Sequence, residues 1–373
     1  MKRIVRYLLI AALIAPIIAV TTDTTPAAAL DFNPTVCAKD NAGKPLSKAC
    51  EAMIAAFPTP PNVEGIDLDL ATMNRYSFWK IGPNATDLYD SPGGTVVGQY
   101  PAGFNFVNAI DVSVDGWLRI EGGRWISRDA AKYSEPSIFH GVKINDGLKY
   151  PFAFVLDKST IYTSEVPGGA ASKNTKRWLK RYEVVNLFAE AVDADGWTWY
   201  MIGPNQWVKQ TFLSVVLPTQ APKDADGKVV NGHWVAVDLY EQTLVAYEDD
   251  VPVFATLVAS GVPKHDTQEG VFAVWAKLER DGMSGAAGAP EAYALQSVPW
   301  VMYFDGSYSL HGTYWHDLFG YRQSHGCVNL TISDASYLYK WFATATPDKE
   351  GKIVNHVYVY SSGEYGSGVI RDK

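Results

Sequence analysis

From His233 to Gly261 the chain reads HWVAVDLYEQTLVAYEDDVPVFATLVASG, and apolar and polar residues alternate through three runs. Short polar breaks fall at Glu241-Gln242 and at Glu248 to Asp250. A period of two with tight breaks predicts three antiparallel strands in a meander. DTQEGVFAVWAKL continues it, and VPWVMYF, YSLHG and NHVYVYSSG return to strand. The stretch ERDGMSGAAGAPEAYALQS is rich in Gly and Ala and breaks the alternation, so a long loop is expected, with residues 281–297 as a candidate lid. From Ser333 to Phe342 the pattern changes period: Ala335, Leu338, Tyr339 and Phe342 fall at helical spacing, with Ser333 as the expected N-cap.

Upstream, the sequence repeats itself between about Arg75 and Leu217. One copy holds DLYDSPGGTVVG, VDGWLRI and GGRWISR; the other holds TIYTSEVPGG, ADGWTWY and PNQWVKQ. Asp115-Gly116-Trp117 and Asp195-Gly196-Trp197 lie 80 positions apart, and Trp125 and Trp207 lie 82 apart. Landmarks in the same order at nearly one spacing mark a duplicated unit. Each copy reads as short strands bounded by Gly, Pro, Asn and Asp turns. FPTPPNVEG and LPTQAPKDADGKVVNG read as linkers on either side.

The abundance of aromatics (12 Trp, 21 Tyr, 15 Phe) fits this strand-rich reading. At the N-terminus, Lys2, Arg3 and Arg6 precede an apolar run from Tyr7 to Val20, and Ala27-Ala28-Ala29 offers a small-residue cleavage site. That is the pattern of a secretory signal over residues 1–29, and the run is short for a membrane span. A retained anchor is the alternative, and the expected location is the periplasm, the cell wall or outside the cell. Cleavage after Ala29 removes three cations and one anion and takes the formal charge from −8 to −10. An acidic balance argues against nucleic acid or anionic lipid as a partner. Of three cysteines, Cys37 and Cys50 are close enough in sequence to form a local disulfide in an oxidising compartment, which leaves Cys327 unpaired.

Cys327 lies in YRQSHGCVNL, with Ser324, His325 and Gly326 before it and Asn329 after it. His311, in SLHGTYW, ends a predicted strand 16 residues upstream. A thiol at its ordinary pKa is only slightly ionised at neutral pH, so a nearby histidine serves either as its base or as its ion-pair partner. Gly326 lets the backbone turn tightly and aim N–H groups at a developing oxyanion.

HGTYW followed by SHGCVN resembles the active-site signature of the YkuD-type L,D-transpeptidases, over about residues 232–361. The resemblance implies a mostly-β chain whose catalytic domain is a β-sandwich with a short helix after the catalytic cysteine. It also implies a cofactor-free acyl transfer on peptidoglycan stem peptides. By this likeness Cys327 is the nucleophile, His311 its base and the Gly312 carbonyl the group that orients His311. Ser324, His325 and Asn329 hold the loop and position substrate, and the N–H groups of Gly326 and Cys327 are oxyanion donors. Tyr308 and Trp315 are expected to line the substrate groove. Carbapenem-type β-lactams are expected to acylate Cys327. One departure is visible: Gln268 stands in DTQEGVF where many members carry proline.

The two repeats resemble bacterial Src-homology-3-like barrels, which offers wall or peptide binding through residues 75–217. The competing reading makes their tryptophans core residues and the barrels spacers. The expected organisation is a signal at 1–29, a disulfide-bearing segment at 30–74, repeats at 75–140 and 150–217, a linker at 218–231, the catalytic domain at 232–361 and a tail at 362–373. The transferred acyl group is expected to form a 3→3 cross-link. The same site with water as acceptor gives an L,D-carboxypeptidase, and with a protein lysine an anchoring enzyme; an inactive wall-binding protein is the reading from another class. His316 beside His311, His325 and Cys327 could be drawn as a zinc site, but the spacing matches no familiar zinc pattern. It is expected on the rim, bonding locally. His140, His233, His265 and His356 receive no role.

Overall fold

The computed structural model describes residue 37 and residues 46–56, 61–145, 151–156, 161–286 and 291–363. The chain divides into two units, Met1–Asp31 and Phe32–Lys373, and all described residues belong to the second. The expected signal therefore lies outside the described residues, as does most of the expected tail. Among the described residues no helix is long and apolar enough to cross a membrane.

The expected meander forms as strands His233–Asp238, Thr243–Glu248 and Val251–Leu257, paired antiparallel in sequence order. His356–Tyr360 joins parallel to the first of them, and Gly270–Ala273 closes that edge. At the opposite edge, Val63–Gly65 and Val142–Ile144 complete a seven-stranded sheet. Residues placed in the N-terminal segment and between the repeats thus complete one side of the sheet built mainly from 233–360. Ile66 is buried with Val235, Leu244 and Phe304 in the same core.

A second, larger sheet carries the strands Val328–Thr331, Tyr308–Thr313 and Tyr293–Asp305. The loop expected at 281–297 is instead mostly a long hairpin: Ala276–Gly285 pairs antiparallel with Tyr293–Asp305 from Gly285↔Tyr293 to Ala276↔Tyr303. Its register shifts between Asp281 and Met283, and residues 287–290 lie outside the described residues. On its other edge, Tyr293–Asp305 pairs parallel with Phe104–Asp111 of the first repeat. The first repeat and the strands between 276 and 331 therefore share one hydrogen-bonded sheet.

The helix Ile332–Phe342 begins one residue before the expected cap. Thr331 is the N-cap, accepting from the Asp334 N–H, while Ser333 Oγ accepts from the Asp69 N–H at 3.0 Å. Its face of Ala335, Leu338 and Phe342 is fully buried in the core between the sheets.

The two repeats share a run of strand, tight turn, strand, 3-10 turn and strand, at 117–133 and at 198–216. Gly116 and Gly196 sit at φ +73° and +84°, which the Asp-Gly turns before each Trp require. Trp207 is core, whereas Trp117, Trp125 and Trp197 are half-buried. Cys37 and Cys50 are joined by a disulfide, and with Met53 they pack against Phe188, Met201 and Trp207 of the second repeat.

Candidate active site

Two neighbouring strands set the geometry. Tyr308–Thr313 and Val328–Thr331 run parallel, with Leu310 opposite Val328 and His311 opposite Asn329. Side chains alternate across a strand, so Ser309 and His311 share a face, and the register sets Cys327 and Asn329 beside them. The thiol consequently lies beside Ser309 and diagonally from His311. Ser309 Oγ is 3.8 Å from Cys327 Sγ, and Sγ reaches the Ser307 carbonyl at 3.9 Å. Cys327, His311 and Asn329 all line one cavity of about 430 Å³.

The imidazole has a defined tautomer. Gly312 O can only accept, so His311 Nδ1 carries the hydrogen and donates to it at 3.2 Å. Nε2 keeps its lone pair, as a base requires. Burial lowers the His311 pKa to about 4, against a smaller opposing pull from that carbonyl. Burial also pushes the Cys327 thiol up, and Ser309, through its backbone and hydroxyl, draws it partly back. Both shifts favour the neutral pair, a thiol beside a neutral imidazole. Of the two roles open to the histidine, the site suits the base and disfavours a resting ion pair.

The loop before the thiol is clamped from three sides. Gly326 sits at φ +113°, and a Cβ there would lie 2.4 Å from the Tyr308 ring. Its N–H donates to Ser324 Oγ at 3.1 Å, and the Ser324 hydroxyl donates to the Cys327 carbonyl. Thr267 Oγ1 donates to the Gly326 carbonyl at 2.9 Å. The expectation that the Gly326 N–H serves as an oxyanion donor is therefore corrected: Ser324 already takes it. The Ser324 hydroxyl in turn is committed to the loop. Gln268 is exposed and bonds only the Asp266 carbonyl, so the departure from proline falls beside the clamp and not on it.

Tyr308, Trp315, Ser324 and His325 line the same cavity. The Trp315 ring centre is 5.5 Å from that of His311, and His325 sits between His265 at 4.3 Å and Tyr293 at 5.4 Å. Burial lowers the His325 pKa, His265 adds to this, and Glu291 opposes it. His316 bonds locally, as expected, and also across to the cysteine strand. It is half-buried, accepts from the Leu318 N–H at Nδ1 (3.2 Å) and meets the Asn329 amide at Nε2 (3.0 Å). Burial first, then His311 and Arg181, lower its pKa to about 3. Among the described residues no group of three or more His, Cys, Asp or Glu could hold a metal ion.

Met283, Ser284 and Tyr293 line the cavity from within the segment expected as a lid, here part of the hairpin. Tyr303, also on the hairpin, and Phe104, from the first repeat, escape the sequence reading. Ser309 and Thr267 also act unannounced. The only sequence signal for Ser309 is its place two residues before His311, on the same face of a strand.

Residues 232–354 match the YkuD family, the L,D-transpeptidase catalytic domain. An L,D-transpeptidase from Stackebrandtia nassauensis is 26% identical over 38% of this chain and 58% of its own, with a TM-score of 0.28. The Enterococcus faecium L,D-transpeptidase C442S mutant is 27% identical over 39% and 55%, with a TM-score of 0.30. The catalytic domain of an E. faecium L,D-transpeptidase is 26% identical over 35% of this chain and 98% of its own, with a TM-score of 0.29. The chain thus spans little more than half the length of the first two. No curated protein matches it. The YkuD match contains His311, Gly312 and the whole loop from Ser324 to Asn329.

Proposed function

We propose that the protein is an exported cysteine L,D-transpeptidase acting on peptidoglycan tetrapeptide stems. The observation that carries this is the register of Cys327 and Ser309 beside Asn329 and His311, with a neutral imidazole whose Nε2 is unprotonated. Cys327 Sγ attacks the carbonyl that joins the third, L-centred residue to the terminal D-Ala while its proton passes to His311 Nε2. The Cys327 N–H is assigned to the developing oxyanion, since Gly326 donates elsewhere. The tetrahedral intermediate expels the D-Ala amine, which takes the proton back from His311, and a thioester remains on Cys327. An amine of a second stem then gives up a proton to His311 and attacks the thioester. The thiol is regenerated and a 3→3 cross-link forms.

The hairpin and Phe104 contribute part of the cavity wall, with the Tyr293 ring 5.4 Å from that of His325. Excluding water there favours an amine acceptor over hydrolysis, and the chemistry is otherwise the same as for a carboxypeptidase.

Residues 75–217 are proposed to hold the wall. In the second repeat, Ile161–Tyr162 pairs with Trp178–Leu179 as a two-stranded ribbon. Leu179 is fully buried while Tyr162 and Trp178, directly opposite each other, are 37% and 44% exposed. Lys173 lies 5.9 Å from the Tyr162 ring and Lys180 5.1 Å from the Trp178 ring. Residues 173–181 read KNTKRWLKR, a cationic run on an otherwise acidic chain. Exposed aromatic faces with cations suit a carboxylated sugar polymer.

The test is incubation of the purified chain with a disaccharide-tetrapeptide, read by mass spectrometry with Cys327→Ala in parallel. A cross-linked dimer lacking one D-Ala, absent in the variant, is expected. A tripeptide alone would assign a carboxypeptidase, and untouched substrate in both samples would overturn the enzymatic reading.

A further inference from the structure

Two hydrogen bonds on the His316 ring cannot both be taken as drawn. Leu318 N–H donates to Nδ1, so Nδ1 carries the lone pair. A neutral imidazole then carries its hydrogen on Nε2, which faces the atom drawn as the Asn329 amide nitrogen at 3.0 Å. That arrangement sets two donors against each other. The atom drawn as Asn329 Oδ1 is meanwhile buried without any partner. Exchanging the amide oxygen and nitrogen, which are distinguished only by their hydrogen bonds, removes the clash of donors and leaves the unmet position to the NH2 group. His316 Nε2–H then donates to Asn329 Oδ1, and the NH2 group takes the unpartnered position.

Asn329 is 1% exposed, lines the cavity and stands opposite His311 in the parallel register. A buried NH2 with no acceptor in the protein is costly to leave unmet, and the cavity beside it is where the substrate peptide lies. Resting on the transpeptidase reading, we propose that His316 is a positioning residue: it fixes the Asn329 amide so that its NH2 donates to a backbone carbonyl of the bound stem peptide. His316 itself touches no substrate. The sequence offers this partner only as a histidine five residues after His311, and the hydrogen-bond pattern gives it a role.

Two measurements test it. The first needs no turnover. In the ¹⁵N spectrum of the full chain, the His316 ring is expected to show a protonated Nε2 and an unprotonated Nδ1. The reverse tautomer would overturn the assignment of the amide. The second is the rate of acyl-Cys327 formation from disaccharide-tetrapeptide, with thermal unfolding followed in the same samples. His316→Leu and Asn329→Ala are each expected to slow acylation by about tenfold, the loss of one well-placed hydrogen bond. The double variant should be no slower than Asn329→Ala, and His316→Gln, which keeps an N–H donor, should recover most of the rate. Additive losses, a His316→Leu enzyme as fast as wild type, or no recovery with Gln in a folded protein would each overturn the positioning role. A wild type that forms no acyl-enzyme overturns the transpeptidase reading instead, and the tautomer measurement still decides the geometry.

Discussion

A thiol and an imidazole that rest uncharged behave differently from a thiolate–imidazolium pair. Burial raises Cys327 and lowers His311 to about 4, so the neutral pair prevails at physiological pH. Alkylation of Cys327 by iodoacetamide is therefore expected to climb as pH rises through and beyond 9, with no plateau near pH 6. His311→Ala should leave the alkylation rate at pH 7 within about twofold while lowering transpeptidation by about 10²- to 10⁴-fold, the usual reach of a general base. A neutral-pH plateau that disappears in His311→Ala would show a resting ion pair instead. Gly326→Ala should abolish acylation, because its Cβ meets the Tyr308 ring at 2.4 Å and φ is +113°. Cys327 and His311 were legible in the sequence because each lies in a short contiguous motif. Ser309, Thr267 and His316 were not, because their roles arise from strand register and from hydrogen bonds between segments distant along the chain.

At the scale of elements, the hairpin Ala276–Gly285/Tyr293–Asp305 is the largest departure from the sequence pattern. Its first strand is exposed or half-buried along its whole length, so no apolar row announces it. It is held by ladder hydrogen bonds on one side and, through its partner strand, by the first repeat on the other. The contact is close: Phe104 N–H donates to the Ala292 carbonyl at 2.8 Å, and a Cβ on Gly103 would lie 2.5 Å from that oxygen. Phe104→Ala is expected to raise KM several-fold with kcat little changed, since it removes a wall of the cleft and no reacting group. Equal KM values for variant and wild type would show that the peptide does not reach Phe104. On the ribbon of the second repeat, Trp178→Ala with Lys173→Gln and Lys180→Gln should reduce co-sedimentation with purified peptidoglycan while turnover of a soluble disaccharide-tetrapeptide is retained. Undiminished sedimentation would make this repeat a spacer.

For the whole molecule, the meander and the C-terminal helix followed from periodicity, whereas the boundaries did not. Val63–Gly65 and Val142–Ile144 are three residues each, too short for an alternation to read, and their partners lie far along the chain. Asp334 marks how the parts are tied. From the helix Ile332–Phe342 its carboxyl accepts from the Gly141 N–H and from the Thr256 hydroxyl, both at 2.7 Å. Burial raises its pKa to about 6, against smaller lowering by those bonds. A carboxyl raised in the fold binds its proton before the unfolded chain does, so acidification from about pH 6 to about pH 4 adds stability, on the order of 3 kcal/mol. His311 and His316 act in the opposite sense. Held at about 4 and about 3, they stay neutral in the fold while the unfolded chain protonates below about pH 6.5. The stability they contribute above that pH is lost as pH falls toward their folded values. Two histidines, each shifted by at least as much as the one carboxylate, outweigh it. The urea midpoint is therefore expected to fall between pH 7 and pH 4. His316→Leu should flatten that slope, and Asp334→Asn should steepen it, because the one group that gains from acid is gone. A wild-type midpoint that rises on acidification would mean that the carboxyl, and not the imidazoles, governs the acid response of the fold.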